Sequence, residues 1–170
     1  MNIYLVGFMG TGKTAVGRAL AKQKKWSFLD LDELIELKEK RTIPDIFAQS
    51  GEPYFRRIES SCLAEVAKEK KFVVACGGGI VINKYNIEIM KKTGIIICLS
   101  ASPDTILERT KAERHRPLLN VADPKRQIEL LLKLRAPYYA QADKTIDTSR
   151  MSVRGVADKI VKLPSVKRCA

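Results

Sequence analysis

Short apolar runs alternate along the chain with longer segments whose apolar residues have helical spacing. The runs "IYLVG" (Ile3–Gly7), "FVVAC" (Phe72–Cys76) and "GIIICLS" (Gly94–Ser100) are dense in β-branched residues. Continuous runs of this kind are typical of strands buried on both faces of a parallel sheet. "SFLDLD" (Ser27–Asp32) and "KTIDTS" (Lys144–Ser149) predict two further short strands.

The segments between these strands predict helices, and local signals mark several of their ends. Gly51 closes one helix, Pro53 fits the first turn of the next, and Ser102 followed by Pro103 is a typical helix start. The segment "RHRPLLNVADP" (114–124) breaks all periodicity and predicts an exposed loop, and the last six residues predict no regular element. The predicted helices cover about Lys13–Lys24, Asp32–Lys40, Thr42–Gly51, Glu52–Lys70, Asn83–Gly94, Ser102–Glu113, Lys125–Asp143 and Ser152–Leu163.

Strands that alternate with helices predict an α/β fold, a parallel sheet covered by helices on both faces. The length of 170 residues, with 29% charged and 45% hydrophobic residues, fits one globular domain. No apolar run approaches the roughly 20 residues needed to span a bilayer. The chain opens almost directly on a strand pattern, so we expect no signal peptide and a cytoplasmic location.

Cysteine spacing and net charge indicate which kinds of ligand the protein could bind. Cys62, Cys76, Cys98 and Cys169 form no CxxC pair, which favours reduced and mostly buried thiols over a metal site. The net charge of +12 suits an anionic ligand. Because the lysines are spread along the chain and aromatic residues are few, solvated helix faces are favoured over a nucleic-acid surface.

The segment Gly7–Thr14, "GFMGTGKT", matches the phosphate-loop pattern G-x-x-x-x-G-K-[ST] between a predicted strand and a predicted helix. Its glycines let the backbone turn and approach phosphate oxygens, which the N–H groups of the loop and the helix N-terminus bind. We expect Lys13 to reach the β- and γ-phosphates and Thr14 to offer its hydroxyl to Mg²⁺. This motif predicts binding of a nucleoside triphosphate without choosing the reaction.

Asp30 and Asp32 end the second predicted strand. Side chains at i and i+2 lie on the same side of a strand, and strand ends face the ligand crevice in this fold class. One carboxylate would then hold Mg²⁺ while the other accepts a hydrogen bond from an attacking hydroxyl. The alternative is that Asp32 caps the following helix and Asp30 is a surface turn residue.

Beyond the phosphate loop, the motifs together resemble the shikimate kinase family over nearly the whole chain. They are "GFMGTGKTAVGRALA", "FLDLDELIE", "IFAQSGEPYFRRIE", "CGGGIV", "RHRPLL" and "LRAPYY". The resemblance implies one domain over 1–170, a five-stranded parallel sheet of order 2-3-1-4-5, a shikimate-binding helical region over about 32–62 and a lid over about 111–124. It implies transfer of the ATP γ-phosphate to the 3-hydroxyl of shikimate, with ADP and shikimate 3-phosphate as products.

The resemblance also implies a role for individual residues. The catalytic set is Lys13, Asp32 and Arg116. The ATP site comprises Gly10, Thr11, Gly12, Lys13, Thr14, Ala15, Arg109, Arg116 and Arg150, of which Arg109 and Arg150 match adenine-pocket positions. The shikimate site comprises Asp32, Arg56, Gly77, Gly78, Gly79 and Arg135, in which the two arginines bind the carboxylate. Thr14 and Asp30 are expected to hold Mg²⁺.

Several alternatives remain open at this point. Asp32 either takes the hydroxyl proton or only orients the hydroxyl. His115 is expected to be solvent-exposed without a catalytic role, and Arg57 is expected to be a surface or ion-pair arginine. The rival functions are another small-metabolite kinase, such as a gluconate kinase, and a non-catalytic P-loop protein that binds nucleic acid. We expect ATP and shikimate as the small-molecule substrates, with Mg²⁺ as cofactor, no nucleic-acid or membrane partner, and a monomer.

Overall fold

A computed structural model describes residues 1–111 and 121–167, which form a parallel sheet between two layers of helices. The strands are β1 (Asn2–Val6), β2 (Ser27–Asp30), β3 (Phe72–Ala75), β4 (Gly94–Ser100) and β5 (Lys144–Asp147). The helices are α1 (Lys13–Lys24), α2 (Leu31–Glu39), α3 (Ile43–Val66), α4 (Lys84–Thr93), α5 (Pro103–Thr110), α6 (Pro124–Tyr139), α7 (Val153–Val161) and α8 (Pro164–Lys167), with a 3-10 helix at Ile80–Ile82.

The strands lie in the order β2-β3-β1-β4-β5 and all run parallel, as predicted. β1 is central, and its Leu5 pairs with Ala75 of β3 and Ile97 of β4. Because all strands point the same way, the segments that follow them meet at one edge of the sheet. The phosphate loop follows β1 there, beside Asp30 at the end of β2 and the Gly77–Gly79 turn after β3.

Alternate residues of the central strands point into two separate cores, one on each face of the sheet. Tyr4 and Val6 of β1 belong to the core that also receives side chains of α2, α3, α4 and α6. Ile3 and Leu5 belong to the core formed with α1, α7 and α8. These four side chains are fully buried, which explains why β1 reads as an unbroken apolar run in the sequence.

The second strand is two residues shorter than predicted, which changes how the two aspartates lie. The strand ends at Asp30, whose side chain accepts a hydrogen bond from the Asp32 N–H and so caps α2. Asp32 therefore lies in the first turn of a helix, and the predicted i, i+2 alternation on a strand is wrong for this pair. The residue that caps α2 is Asp30. The alternative, in which Asp32 caps the helix, is therefore also wrong.

Two helix predictions also need correction at their ends. The predicted break at Gly51 is present as a kink inside α3, where Gly51 has φ 79° and ψ 168°. α3 then ends at Val66, before the charged run that the helix prediction had included. The C-terminal prediction was wrong in part, because residues 164–167 form α8 and Val166 is fully buried.

Cys62, Cys76 and Cys98 are buried and unbonded, as expected, and Cys169 lies outside the described residues. Within the described ranges, no helix is both long enough and apolar enough to cross a membrane.

Candidate active site

A cleft of about 500 Å³ opens at the carboxyl edge of the sheet. The phosphate loop, α3, α6 and the turn after β3 all contribute to its lining. The lining residues are Met9, Gly10, Gly12, Lys13, Thr14, Ala15, Asp30, Asp32, Ile43, Phe47, Phe55, Arg56, Glu59, Ala75, Cys76, Gly77, Gly78, Gly79, Arg109 and Arg135. The cleft thus brings together most of the predicted donor residues and all of the predicted acceptor residues.

The phosphate loop depends on glycine at two positions for different reasons. A Cβ on Gly7, at φ 140°, would lie 2.1 Å from the Leu99 carbonyl oxygen, so only glycine lets the loop leave β1 beside β4. Gly12 precedes α1 in the left-handed region, at φ 91°. These two residues turn the chain sharply enough to place the N-terminus of α1 at the cleft.

Lys13 bends back over the loop that it follows. Its Nζ donates to the carbonyl oxygens of Gly7 at 3.0 Å and Phe8 at 2.9 Å. These bonds hold the ammonium at the mouth of the loop, where it faces the cleft. The contacts fit a lysine that neutralises phosphate charge.

Thr14 and Asp30 lie together at the start of α1 and the end of β2. The Thr14 hydroxyl donates to Asp30 Oδ2 at 2.8 Å. Hydroxyl and carboxylate oxygens are the hard donors that Mg²⁺ prefers, and Mg²⁺ in kinases takes few protein ligands beside phosphate and water oxygens. The pair offers one hydroxyl and one carboxylate side by side, which fits such a sparse site.

The side chain of Asp32 projects from the first turn of α2 toward the turn after β3. A Cβ on Gly77 would lie 3.0 Å from Asp32 Oδ1, so glycine gives the carboxylate room to reach the cleft. Burial, and then the charge of Asp30, raise the pKa of Asp32 to about 6, although Lys13 and Arg56 oppose the shift. A carboxylate with such a pKa is a better proton acceptor near neutral pH than an ordinary aspartate.

The other two glycines of the turn make room for the two predicted arginines. A Cβ on Gly79 would lie 2.5 Å from Arg56 Nη2, and one on Gly78 would lie 3.4 Å from Arg135 Nη1. The Tyr139 hydroxyl, one turn beyond Arg135 on α6, donates to the Gly78 carbonyl at 2.7 Å and fixes the turn against the helix. Two guanidinium groups from different helices therefore converge on one glycine turn.

Glu59 holds Arg56 in place and was not predicted. Arg56 Nη1 donates to Glu59 Oε2 at 2.8 Å, while Nε and Nη2 donate to Glu52 Oε1 at 3.1 and 3.0 Å. The Glu59 side chain is only 1% exposed, and its Oε1 has no hydrogen-bond partner among the described residues. Burial raises the pKa of Glu59 despite the attraction of Arg56. The i, i+3 spacing of "RRIE" is the one sequence signal, and it occurs on many helices.

The remaining predicted ATP residues are Thr11, Arg109, Arg116 and Arg150. Arg109 reaches the loop and donates to the Gly10 carbonyl at 3.2 Å. The hydroxyl of Thr11 is turned away from the cleft and donates to the Phe8 carbonyl at 2.7 Å. Arg150 is exposed and does not line the cleft, whereas Arg116, His115 and most of the predicted lid lie outside the described residues.

A parallel sheet of this order, with a phosphate loop after its central strand and a charged acceptor pocket beside it, defines a P-loop phosphotransferase. The model of the shikimate kinase family matches residues 9–164. The chain belongs to the shikimate kinase family, as the motifs indicated. It is 45% identical over 161 residues to the shikimate kinase of Thermoanaerobacter pseudethanolicus, covering 95% of this chain and 94% of that protein.

Another relative and two solved structures agree with this assignment. The shikimate kinase of Thermodesulfovibrio yellowstonii is also 45% identical, over 95% of this chain and 93% of its own length. The shikimate kinase of Acinetobacter baumannii in complex with shikimate superposes with a TM-score of 0.90 at 43% identity, covering 95% of this chain and 90% of that one. The enzyme from Aquifex aeolicus gives 0.83 at 32% identity, covering 95% and 94%.

Proposed function

We propose that this protein transfers the γ-phosphate of ATP to the 3-hydroxyl of shikimate, giving ADP and shikimate 3-phosphate for aromatic amino-acid synthesis. The observation that supports this most is the convergence of Arg56, Arg135 and Asp32 on the glycine turn Gly77–Gly79, which lines the same cleft as the phosphate loop. Family membership supports the same reaction.

The acceptor half of the cleft suits a small ring with one carboxylate and several hydroxyls. Arg56 and Arg135 supply planar guanidinium groups, which form paired charge-assisted bonds with a carboxylate. Arg56 already holds such bonds to Glu52 and Glu59, so its plane is fixed before the substrate arrives. Asp32, which reaches the same turn at Gly77, would bond the ring hydroxyls, and the backbone of Gly77–Gly79 would border the ring.

The donor half would bind the triphosphate of ATP. Gly10, Gly12 and Ala15 line the cleft and would offer backbone N–H groups to the phosphates, with Lys13 beside them. Thr14 and Asp30 would hold Mg²⁺, which supplies positive charge to the phosphate oxygens. Arg116 on the lid and Arg150 near the base stay predictions from the resemblance.

Catalysis by such a site is mostly positioning and charge stabilisation. Asp32 would accept the proton of the attacking hydroxyl, for which its raised pKa of about 6 is suited. Lys13 would neutralise charge on the transferring phosphoryl group. The cytoplasmic location and the monomeric state remain predictions.

The proposal is tested by ADP release at saturating Mg-ATP with shikimate, with gluconate and with no acceptor. We expect release only with shikimate, and we expect Lys13→Ala to abolish it while the protein remains folded by circular dichroism. Equal release with gluconate would favour the rival small-metabolite kinase. No shikimate-dependent release, together with salt-sensitive RNA binding, would favour the non-catalytic P-loop protein.

A further inference from the structure

Thr148 lies directly after β5, where its side chain connects three segments that are distant in the sequence. It is 2% exposed. Its Oγ1 lies 3.1 Å from the carbonyl oxygen of Thr11 in the phosphate loop and 3.1 Å from that of Ser100 at the end of β4. A buried threonine hydroxyl with three segments around it is held in place by the fold. Its hydrogen bonds in turn fix the positions of those segments relative to one another.

Arg109 completes the contact from α5. Its Nη1 donates to Thr148 Oγ1 at 3.0 Å and to the Gly10 carbonyl at 3.2 Å, and its Nη2 donates to the Thr148 carbonyl at 2.9 Å. Both side chains therefore hold carbonyl groups of the phosphate loop, Arg109 that of Gly10 and Thr148 that of Thr11. The guanidinium of Arg109 is itself fixed by Thr148 through two bonds.

The hydroxyl has one proton to donate and two carbonyl oxygens within reach. The Ser100 carbonyl already accepts the Thr148 N–H at 2.8 Å. The two oxygens are equally distant from the hydroxyl, and because that of Ser100 already has one donor, we assign the hydroxyl proton to the Thr11 carbonyl. In a planar trans peptide the N–H of the next residue points opposite to the carbonyl. A Thr11 carbonyl held toward Thr148 thus turns the N–H of Gly12, a cleft residue, away from Thr148.

We propose that Thr148 is a positioning residue for the nucleotide: its hydroxyl fixes the Thr11 carbonyl and the Arg109 guanidinium, and so orients the Gly12 N–H toward a phosphate of ATP. The inference rests on the proposed function and refines its donor half. Thr148 touches none of the predicted acceptor residues, so its hydroxyl affects ATP and leaves shikimate binding alone.

The test compares Thr148→Val, which deletes the hydroxyl at nearly constant shape, with Thr148→Ser, which keeps it. We expect Thr148→Val to raise the KM for ATP by roughly three- to tenfold, the effect of one lost hydrogen bond, with the KM for shikimate unchanged. Thr148→Ser should restore the KM for ATP to near wild type. Thr93→Val is the matched control, because it deletes a hydroxyl bonded to Tyr4 at the opposite end of the sheet.

Equilibrium binding of a non-hydrolysable ATP analogue, by calorimetry, separates this inference from the proposed function. A three- to tenfold weaker affinity in Thr148→Val supports the inference even if wild type fails to phosphorylate shikimate, and that failure would refute only the reaction. Unchanged ATP affinity in Thr148→Val, an equal rise in both KM values, or a serine variant as weak as the valine variant would each overturn the inference. If the valine variant does not fold, Thr148→Cys provides the same comparison with a weaker donor.

Discussion

Arg56 and its neighbour Arg57 have different environments, and only that of Arg56 fits a role in substrate binding. Glu52 and Glu59 hold its guanidinium on the same helix, and Gly79 leaves it the space to lie against the glycine turn. Arg57, its neighbour in the chain, is exposed and stacks over the ring of Tyr54 at 5.2 Å from the centroid. Two adjacent arginines thus provide a matched pair for mutation.

We expect Arg56→Lys to raise the KM for shikimate by about 10- to 100-fold, because an ammonium cannot replace the paired bonds of a guanidinium to a carboxylate. The KM for ATP should not change. Arg57→Lys should behave as wild type in both measurements. Steady-state kinetics with each substrate varied in turn check this, and an equal effect of the two substitutions would remove Arg56 from the acceptor site.

Asp32 gives a second prediction, on the stability of the protein without nucleotide or metal. Its pKa is about 3.8 when exposed and about 6 in the folded protein, so the protonated form favours folding. This contribution is complete below pH 3.8 and is lost as pH rises through 6. Above pH 7 we expect Asp32→Asn to be more stable than wild type by about 1–3 kcal/mol, and the difference should vanish near pH 4.

Urea unfolding in the presence of a chelator, at several pH values, measures this difference in the free energy of unfolding. A variant that is less stable than wild type at pH 8 would show that the charged form of Asp32 is favoured in the folded state. The same variant should lose shikimate phosphorylation, so that stability and activity change in opposite directions.

At the scale of single residues, the sequence predicts those residues whose role depends on their near neighbours in the chain. Gly12, Lys13 and Thr14 are defined by spacing within one loop, and the structure brings them to the cleft as expected. Glu59 and Thr148 could not be found in this way. Thr148 acquires its role from a contact with Thr11, 137 positions away, and neither residue type nor spacing predicts that contact.

Among the elements, the turn between β3 and the 3-10 helix matters most for the acceptor site. Its three glycines have different neighbours: the carboxylates of Asp32 and Glu59 at Gly77, Arg135 at Gly78, and Arg56 at Gly79. Side chains there would displace the charged groups without disturbing the backbone of the core. This explains why three glycines occur where an ordinary turn needs fewer.

We expect Gly79→Ala to raise the KM for shikimate at least about tenfold, because the new methyl group would lie 2.5 Å from Arg56 Nη2 and move the guanidinium. Thermal stability should change little, since a flexible side chain is what has to move. Gly155→Ala, in the first turn of α7, is the control, and its nearest contact would be 3.2 Å from Ser152 Oγ. An alanine variant that unfolds, or one with normal KM, contradicts this reading of the turn.

The hydrophobic pattern predicts the helices and strands well but misses how α2 begins. The run "FLDLD" continues the alternation expected of a strand, yet Asp30 accepts the Asp32 N–H and starts a helix there. A cap competes with strand pairing at such a position, and the sequence alone does not decide between them. The two carboxylates nevertheless reach the same cleft, because strand end and first helical turn are adjacent.

For the molecule as a whole, the sequence predicts a parallel sheet but not its strand order. The two strands that neighbour β1 are similarly apolar, namely Phe72–Ala75 and Gly94–Ser100. Hydrophobic periodicity therefore cannot decide on which side of β1 each of them lies. The order 2-3-1-4-5 was instead implied by the family resemblance, and the structure confirms it.

A further property of the whole molecule is its net charge of +12. Basic residues occupy the last turn of several helices, including Lys22 and Lys24 of α1, Lys38 of α2, and Lys91 and Lys92 of α4. Positive charge at a helix C-terminus is favoured by the helix dipole. The distribution supports solvated helix ends over a single nucleic-acid surface.

The reaction itself is tested most directly by ³¹P NMR of one incubation with Mg-ATP and shikimate, with the position of the new phosphate read from its coupling to the ring protons. We predict one phosphate on the 3-oxygen of shikimate for each ADP formed, and no product without shikimate. ADP formed with inorganic phosphate alone, or a phosphate on another ring oxygen, would contradict the assignment of the cleft to phosphoryl transfer onto the 3-hydroxyl.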